Sequence, residues 1–250
     1  MPREGFDPTF FDRLPEVEPR SFWFRARNRL IVSALRRHFA AARSLLEVGC
    51  GTGFVLAGLR DAFPEWRLVG SELFPEGLAY ARERLGERVE LVELDAREMP
   101  YEREFDVVGA FDVIEHIRDD VDVLRGMRRA LVEGGGLLVM VPQHPRLWSE
   151  ADELAHHVRR YTRLELVGKV EQAGFEVVQA TSFVTTLLPA MVASRLAHRI
   201  GRRPCYEFRD LEPGRLNMPF ERILDAERRL IGLGVSLPFG GSLLVAARAR

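Results

Sequence analysis

The chain has 250 residues, 46% hydrophobic and 29% charged, with 36 Lys and Arg against 37 Asp and Glu and a formal net charge of −1. That size, with a mean hydropathy near zero, suits one soluble α/β domain with a full core, and the balanced charge supplies no global field for nucleic acid. The two cysteines, Cys50 and Cys205, make neither a disulfide framework nor a metal-ligand spacing, which fits a reducing, cytoplasmic setting.

Met1-Pro2-Arg3-Glu4-Gly5 opens the chain without an apolar core, so no signal peptide is expected. No run reaches the roughly 18 apolar residues of a membrane span. Residues 1–20 are Pro-rich and acidic and read as an irregular arm. Ser21 is placed to cap a helix from Phe22 to about Phe39. Its apolar positions include Trp23, Leu30, Ile31, Ala34 and Leu35, and Arg27 falls on the face of Trp23, one turn on. Such an Arg either snorkels to the rim or reaches a carboxylate. Residues 1–40 thus form an arm and helix ahead of a domain over 41–250.

Ser44-Leu45-Leu46-Glu47-Val48-Gly49-Cys50-Gly51-Thr52-Gly53-Phe54 reads as a buried strand, a glycine turn and a helix start. The glycines allow φ > 0 and leave no Cβ between the backbone and a ligand. The spacing is G-x-G-x-G, with Phe54 where the dinucleotide fingerprint needs its third Gly. Glu47 stands two residues before Gly49. A second strand, Arg67 to Ser71, ends at Glu72-Leu73, about twenty residues beyond the turn. A carboxylate there accepts both hydroxyls of a ribose. Pro75 starts the next helix, which Gly86 stops.

Strand three runs from Val89 to Leu94 and ends at Asp95-Ala96, where Asp95 is also a candidate helix N-cap. Strand four, Phe105 to Phe111, leads into Asp112-Val113-Ile114-Glu115-His116-Ile117 at the ligand edge of a doubly wound sheet. There His116 reads as a packed or capping residue as readily as a base. A helix over 119–132 stops at Gly134-Gly135-Gly136, and strand five covers Leu137 to Val141. The polar–aromatic loop that follows carries His144, Trp148, Asp152 and His157, then Arg159, Arg160 and Tyr161. The sequence offers His144 and His157 as bases, with Asp152 orienting them. Their spacing matches no metal signature, and no metal is assigned. Arg159 and Arg160 present forks suited to an anionic acceptor. Thr162-Arg163-Leu164-Glu165 opens a helix ending at Gly174, and strands follow over Phe175–Ala180 and Ser242–Ala247.

Residues 182–239 break the βα rhythm and read as two helices, about 184–202 and 217–233. The first has no charge from Phe183 to Ser194, then Arg195, His198, Arg199, Arg202 and Arg203. It reads as a lid on the core, a dimer face, or a surface helix touching lipid through 183–203.

In this order the Glu47-x-Gly49-x-Gly51-x-Gly53 turn, Glu72, Asp95, the Phe111–Ile117 segment and the Gly-rich entry to strand five resemble the class I S-adenosylmethionine (SAM) methyltransferases. The flanking Phe22–Arg27 and Trp148–Thr162 stretches are similar to a bacterial small-molecule subgroup, the type 11/12 kind. The resemblance implies a Rossmann-like seven-stranded sheet, order 3-2-1-4-5-7-6, with strand 7 antiparallel, helices on both faces and a helical insertion between strands 6 and 7. It implies SAM as cofactor, held by Glu47, Gly49, Gly51, Gly53, Glu72, Leu73 and Phe111. It gives Asp95 the adenine amino group and the Ala96 N–H a ring nitrogen, with Arg27 a candidate for the SAM carboxylate. A small-molecule acceptor of an O- or C-methylation is expected, amphiphilic or lipid-linked among the options. Nucleic acid is disfavoured because Asp112-Val113-Ile114-Glu115 stands where a DNA-modifying tetrapeptide (N/D-P-P-Y/F) would be. The alternatives are a nicotinamide-dependent oxidoreductase, against which Phe54 argues, and a non-catalytic SAM-binding protein.

Overall fold

Along β1 (Ser44–Val48) successive side chains face opposite ways. Leu45 enters one apolar cluster and Leu46 and Val48 the other, so both faces of the sheet are covered. The computed structural model describes residues 8–199 and 214–250, without the side chains of His198 and Arg199. The first seven residues of the arm, Ile200, Arg202, Arg203 and Cys205 lie outside the described residues. Cys50 is a free, buried thiol beside the glycine turn.

Seven strands form one sheet in the order β3-β2-β1-β4-β5-β7-β6. The others are β2 (Arg67–Glu72), β3 (Glu90–Glu93), β4 (Phe105–Phe111), β5 (Leu131–Pro142), β6 (Phe175–Phe183) and β7 (Ser242–Ala249). The ladders from β3 to β5 are parallel, and β7 runs antiparallel between β5 and β6. The expected order and the reversed last strand are both present. β1 and β4 lie at the centre, where the strand order turns back, so their carboxyl ends open a crevice.

On one face of the sheet the apolar layer comes from α2 (Phe22–His38), α3 (Phe54–Ala62), α4 (Pro75–Leu85) and α9 (Asn217–Gly232). On the other it comes from α5 (Asp120–Ala130) and α7 (Arg163–Gln172). The Ser21 hydroxyl accepts from the Trp23 N–H and caps α2 as expected. Short helices α1 (Leu14–Val17) and α6 (Glu150–Leu154) flank the crevice, and α8 (Leu188–Arg199) lies beside it.

Three boundaries differ from the sequence reading. Helix α5 ends at Ala130, and β5 is already paired at Leu131. The glycines are inside the strand: the register jumps between Phe105 and Val107, and Gly134 takes up φ +70°. Gly136 is required there because a Cβ would meet the Phe39 ring at 2.3 Å. Helix α8 starts four residues later than expected, since β6 continues to Phe183 and Val184 turns the chain at φ +63°. Finally, the arm is not wholly irregular: Pro8–Asp12 forms a 3-10 turn and α1 follows it.

Candidate active site

The crevice is a cavity of about 1550 Å³. Its floor is the glycine turn between β1 and α3. Gly49, Gly51 and Gly53 stand at φ +68°, +54° and +74°. The three differ in what confines them. A Cβ on Gly49 would lie 2.5 Å from Val113 Cγ2, whereas one on Gly51 meets only Phe11, at 3.6 Å. Both glycines line the cavity, but only Gly51 has room for a side chain, whereas Gly49 serves close packing.

Glu72 closes the end of β2. Its Oε2 accepts from the Gly51 N–H at 2.9 Å, and its Oε1 from the Leu73 and Phe74 N–H groups at 2.8 and 3.1 Å. Burial pushes its carboxyl up, and these three donors pull it back. Three donors leave one lone-pair site, on Oε2, toward the cavity that Glu72 lines. Glu47 is 2% exposed, and its Oε2 accepts no hydrogen bond. Burial holds its carboxyl well above the usual range.

Arg27 does not snorkel. It is 5% exposed, sits over the Trp23 ring at 5.1 Å, and puts Nη2 2.6 Å from Asp112 Oδ2. That contact lacks hydrogen-bond alignment, so Nε and Nη2 donate no bond within the protein. Asp112 itself stands at φ +58°, a conformation that Asp tolerates better than most residues. Phe111 lines the cavity at the end of β4. Asp95 is an N-cap: its carboxylate accepts from the Arg97 N–H at 2.9 Å and pairs with the Arg97 guanidinium at 2.6 Å. Asp95, Ala96 and Leu73 all line the cavity.

At the opposite end, Asp152 is fully buried and its oxygens are fixed by four donors. Ser149 gives its N–H and Oγ–H, Arg160 its Nε at 2.6 Å, and His157 its Nδ1 at 2.9 Å. Burial alone would raise the Asp152 carboxyl, but His157 and Arg160 outweigh it and hold it far below the carboxylate range. His157 thus has its Nδ1 fixed on Asp152. His116 packs edge-on against it, 4.8 Å between ring centres, and burial drives the His116 imidazole down to about 3.

Two sequence expectations are corrected. His144 does not line the cavity; it stacks on Phe239 at 6.1 Å, with its backbone N–H on the Tyr161 carbonyl. The strand end turns it away at φ +63°. Arg159 and Arg160 do not offer free forks either. Arg159 holds Asp120 at 2.6 Å and the Arg118 carbonyl, while Arg160 holds Asp152 and the Gln143 carbonyl. Tyr161 is fully buried and donates to Asp120 at 2.7 Å.

The sequence reading missed the residues that brace the glycine turn. Glu18, 5% exposed, accepts from Thr52 Oγ1 and pairs with Arg84, each at 2.7 Å. Phe10, Phe11 and Leu14 add an apolar wall. The paired Phe10-Phe11 in an acidic, Pro-rich stretch was the available signal.

A methyltransferase-domain family model matches residues 46–137. The chain is 31% identical over 167 residues to a probable SAM-dependent methyltransferase of Mycolicibacterium smegmatis, covering 66% of this chain and 63% of that protein. A Haloferax volcanii putative methyltransferase, solved with the Trm112 activator, aligns over 97% of this chain and 95% of that chain, with a TM-score of 0.65 and 18% identity. A Haemonchus contortus phosphoethanolamine N-methyltransferase, solved with SAM, aligns over 89% and 52%, with a TM-score of 0.60 and 19% identity. Residues 46–137 carry a methyltransferase domain, and these likenesses support a class I SAM-dependent methyltransferase. The chain spans about three fifths of the length of the curated relatives it matches.

The residues present suit the methyltransferase cofactor. Glu72 offers Oε2 beside the turn for a ribose hydroxyl. The Glu47 carboxyl, whose Oε2 accepts no bond within the protein, and the Arg27 Nε and Nη2 give this end of the cavity an acceptor and donors for the polar groups of an amino acid. Among the described residues, no helix is long and apolar enough to cross a membrane.

Proposed function

We propose that this cavity transfers a methyl group from SAM to a small, amphiphilic acceptor, O- or C-directed. The observation that carries the reading is the mixed character of one continuous space. The polar floor of Glu47, Glu72 and Arg27 is roofed by Leu187 just before α8, Met191 of α8, Phe220 of α9, and Phe10 and Phe11. An acceptor with an apolar body and a polar head fits such a roof and floor. A peripheral lipid contact through 183–203 belongs to the same reading, although Arg202 and Arg203 of its basic end lie outside the described residues.

Glu72 holds the ribose, Glu47 and Arg27 hold the amino-acid end, and Gly51 lets the ligand lie on the backbone. Asp95, Ala96, Leu73 and Phe111 border the adenine. When bound, SAM supplies an electrophilic methyl on a sulphonium. The protein aligns an acceptor atom about 3 Å from it and excludes water. His157, oriented by Asp152, faces the cavity and takes the acceptor's proton where the acceptor is a hydroxyl. His144 takes no part.

Isothermal titration with SAM, S-adenosylhomocysteine and NADH tests the reading. Micromolar binding of both adenosyl ligands, lost in Glu72→Ala, is expected. NADH binding instead, or no adenosyl binding, overturns it. Adenosyl binding without turnover across a panel of hydroxylated amphiphiles would leave a non-catalytic SAM-binding protein.

A further inference from the structure

The turn after β4 and the loop after α6 bring together three side chains that lie far apart in sequence. Glu115, His116 and His157 each present one ligand atom, and these atoms lie within 4.8 Å of one another. Glu115 is fully buried, yet neither carboxylate oxygen accepts a hydrogen bond. A buried carboxylate without donors is costly, and such a group neutralises itself with a proton or a cation.

The surroundings favour the cation. His157 gives Nδ1 to Asp152 at 2.9 Å, and its Nε2 faces Glu115 Oε1 at 3.9 Å. Asp152 is itself fixed by Ser149 and Arg160. A carboxylate behind an imidazole, itself held in place, is the outer shell that metal-binding histidines use to fix tautomer and direction. His116 is steadied by the backbone of His156. The Val158 N–H donates to the Glu115 carbonyl at 2.8 Å and ties the two segments together. His116 and His157 also line the cavity, so an ion here would keep a face open to it.

We propose that Glu115, His116 and His157 bind one divalent transition-metal ion at the acceptor end of the cavity. Two imidazoles and one carboxylate select zinc- or cobalt-like ions over magnesium and calcium. Ligands of a tetrahedral ion at about 2.0–2.1 Å stand about 3.4 Å apart, so side-chain rotation closes the set. The ion's role would be to hold an anionic oxygen of the acceptor, with His157 a ligand instead of a base. That role rests on the methyl-transfer reading; the binding itself does not.

The test uses the tag-free 250-residue chain, stripped with EDTA and titrated with ZnCl₂ by calorimetry and CoCl₂ by visible absorbance. One saturable equivalent is expected, with the visible cobalt band of low-symmetry ligation. Glu115→Gln and His157→Ala should each weaken it about 100-fold or more, Asp152→Asn about 10–100-fold, and His144→Ala not at all. Binding of S-adenosylhomocysteine is titrated on the same samples and should survive in Glu115→Gln. No saturable zinc or cobalt binding to the wild type at millimolar concentration overturns the proposal, as does equal affinity in the wild type and in whichever of Glu115→Gln, His157→Ala and Asp152→Asn keeps the native circular dichroism. Adenosyl binding without metal binding removes the ion and leaves the proposed function standing. Metal binding without adenosyl binding does the reverse.

Discussion

At the scale of single residues, two glycines of one turn do different work. Gly49 at φ +68° lies against Val113, and a Cβ there would sit 2.5 Å from Cγ2. Gly49→Ala should cost about 1–3 kcal/mol of stability through overpacking and backbone strain, and Val113→Ala should restore part of it. Gly51→Ala meets only Phe11 at 3.6 Å, so it should lose about 1 kcal/mol and chiefly weaken S-adenosylhomocysteine binding. Thermal melts and calorimetry on the two variants separate these outcomes; equal stability losses with unchanged binding would show that the turn does not face the ligand. The sequence marked all three glycines and Glu72, because βα turn chemistry is local. It did not distinguish their roles, since Val113 and Leu85 arrive from distant segments. Nor did it separate His144 from His157. Both follow β5, but the φ +63° turn at His144 sends one of them out of the cavity.

At the scale of elements, α2 and α9 are joined by charge across nearly two hundred residues. Glu221 pairs with Arg25 and, at 2.7 Å, with Arg29, which also holds Asp225 at 2.9 Å. Hydrogen bonds from Arg25 first, then from Arg29, hold the Glu221 carboxyl below its usual value against the opposing effect of burial. A carboxyl whose folded value is depressed stabilises the protein fully above its unfolded value, about 4.3 for Glu, and loses that as pH falls through the folded one. The Tm gap between wild type and Glu221→Gln should therefore be constant above about pH 5 and shrink as pH falls below about 4. A gap independent of pH would mean that the pair contributes packing alone. None of this seam was legible in the sequence: α9 was expected as a helix, but where a helix outside the βα rhythm docks depends on tertiary contacts. The Gly134–Gly136 run was legible as a helix stop and misplaced as a strand boundary, because a bulge accommodates glycines inside the ladder.

At the scale of the whole molecule, the strand order was legible only through the family resemblance that five short motifs carry, whereas the ligand edge followed from the βα turns themselves. The cavity's roof was not, for it is assembled from α8, α9 and the first turns of the chain. A ligand that binds only the folded state raises its stability by about 2.7 kcal/mol at a hundredfold excess over Kd. For a chain of this size that is about 5–11 °C in Tm. S-adenosylhomocysteine should produce this shift in wild type and not in Glu72→Ala, and a scan of Tm against ligand concentration checks it. The clamp of Glu18 on Thr52 and Arg84 also bears on how such proteins can be recombined. Residues 46–137 are the part by which kinship is detected, yet the acid that braces their glycine loop is supplied from upstream. A crossover made at the border of the matched segment would graft the fingerprint and leave behind its keystone, so the heritable unit is longer than the diagnostic one.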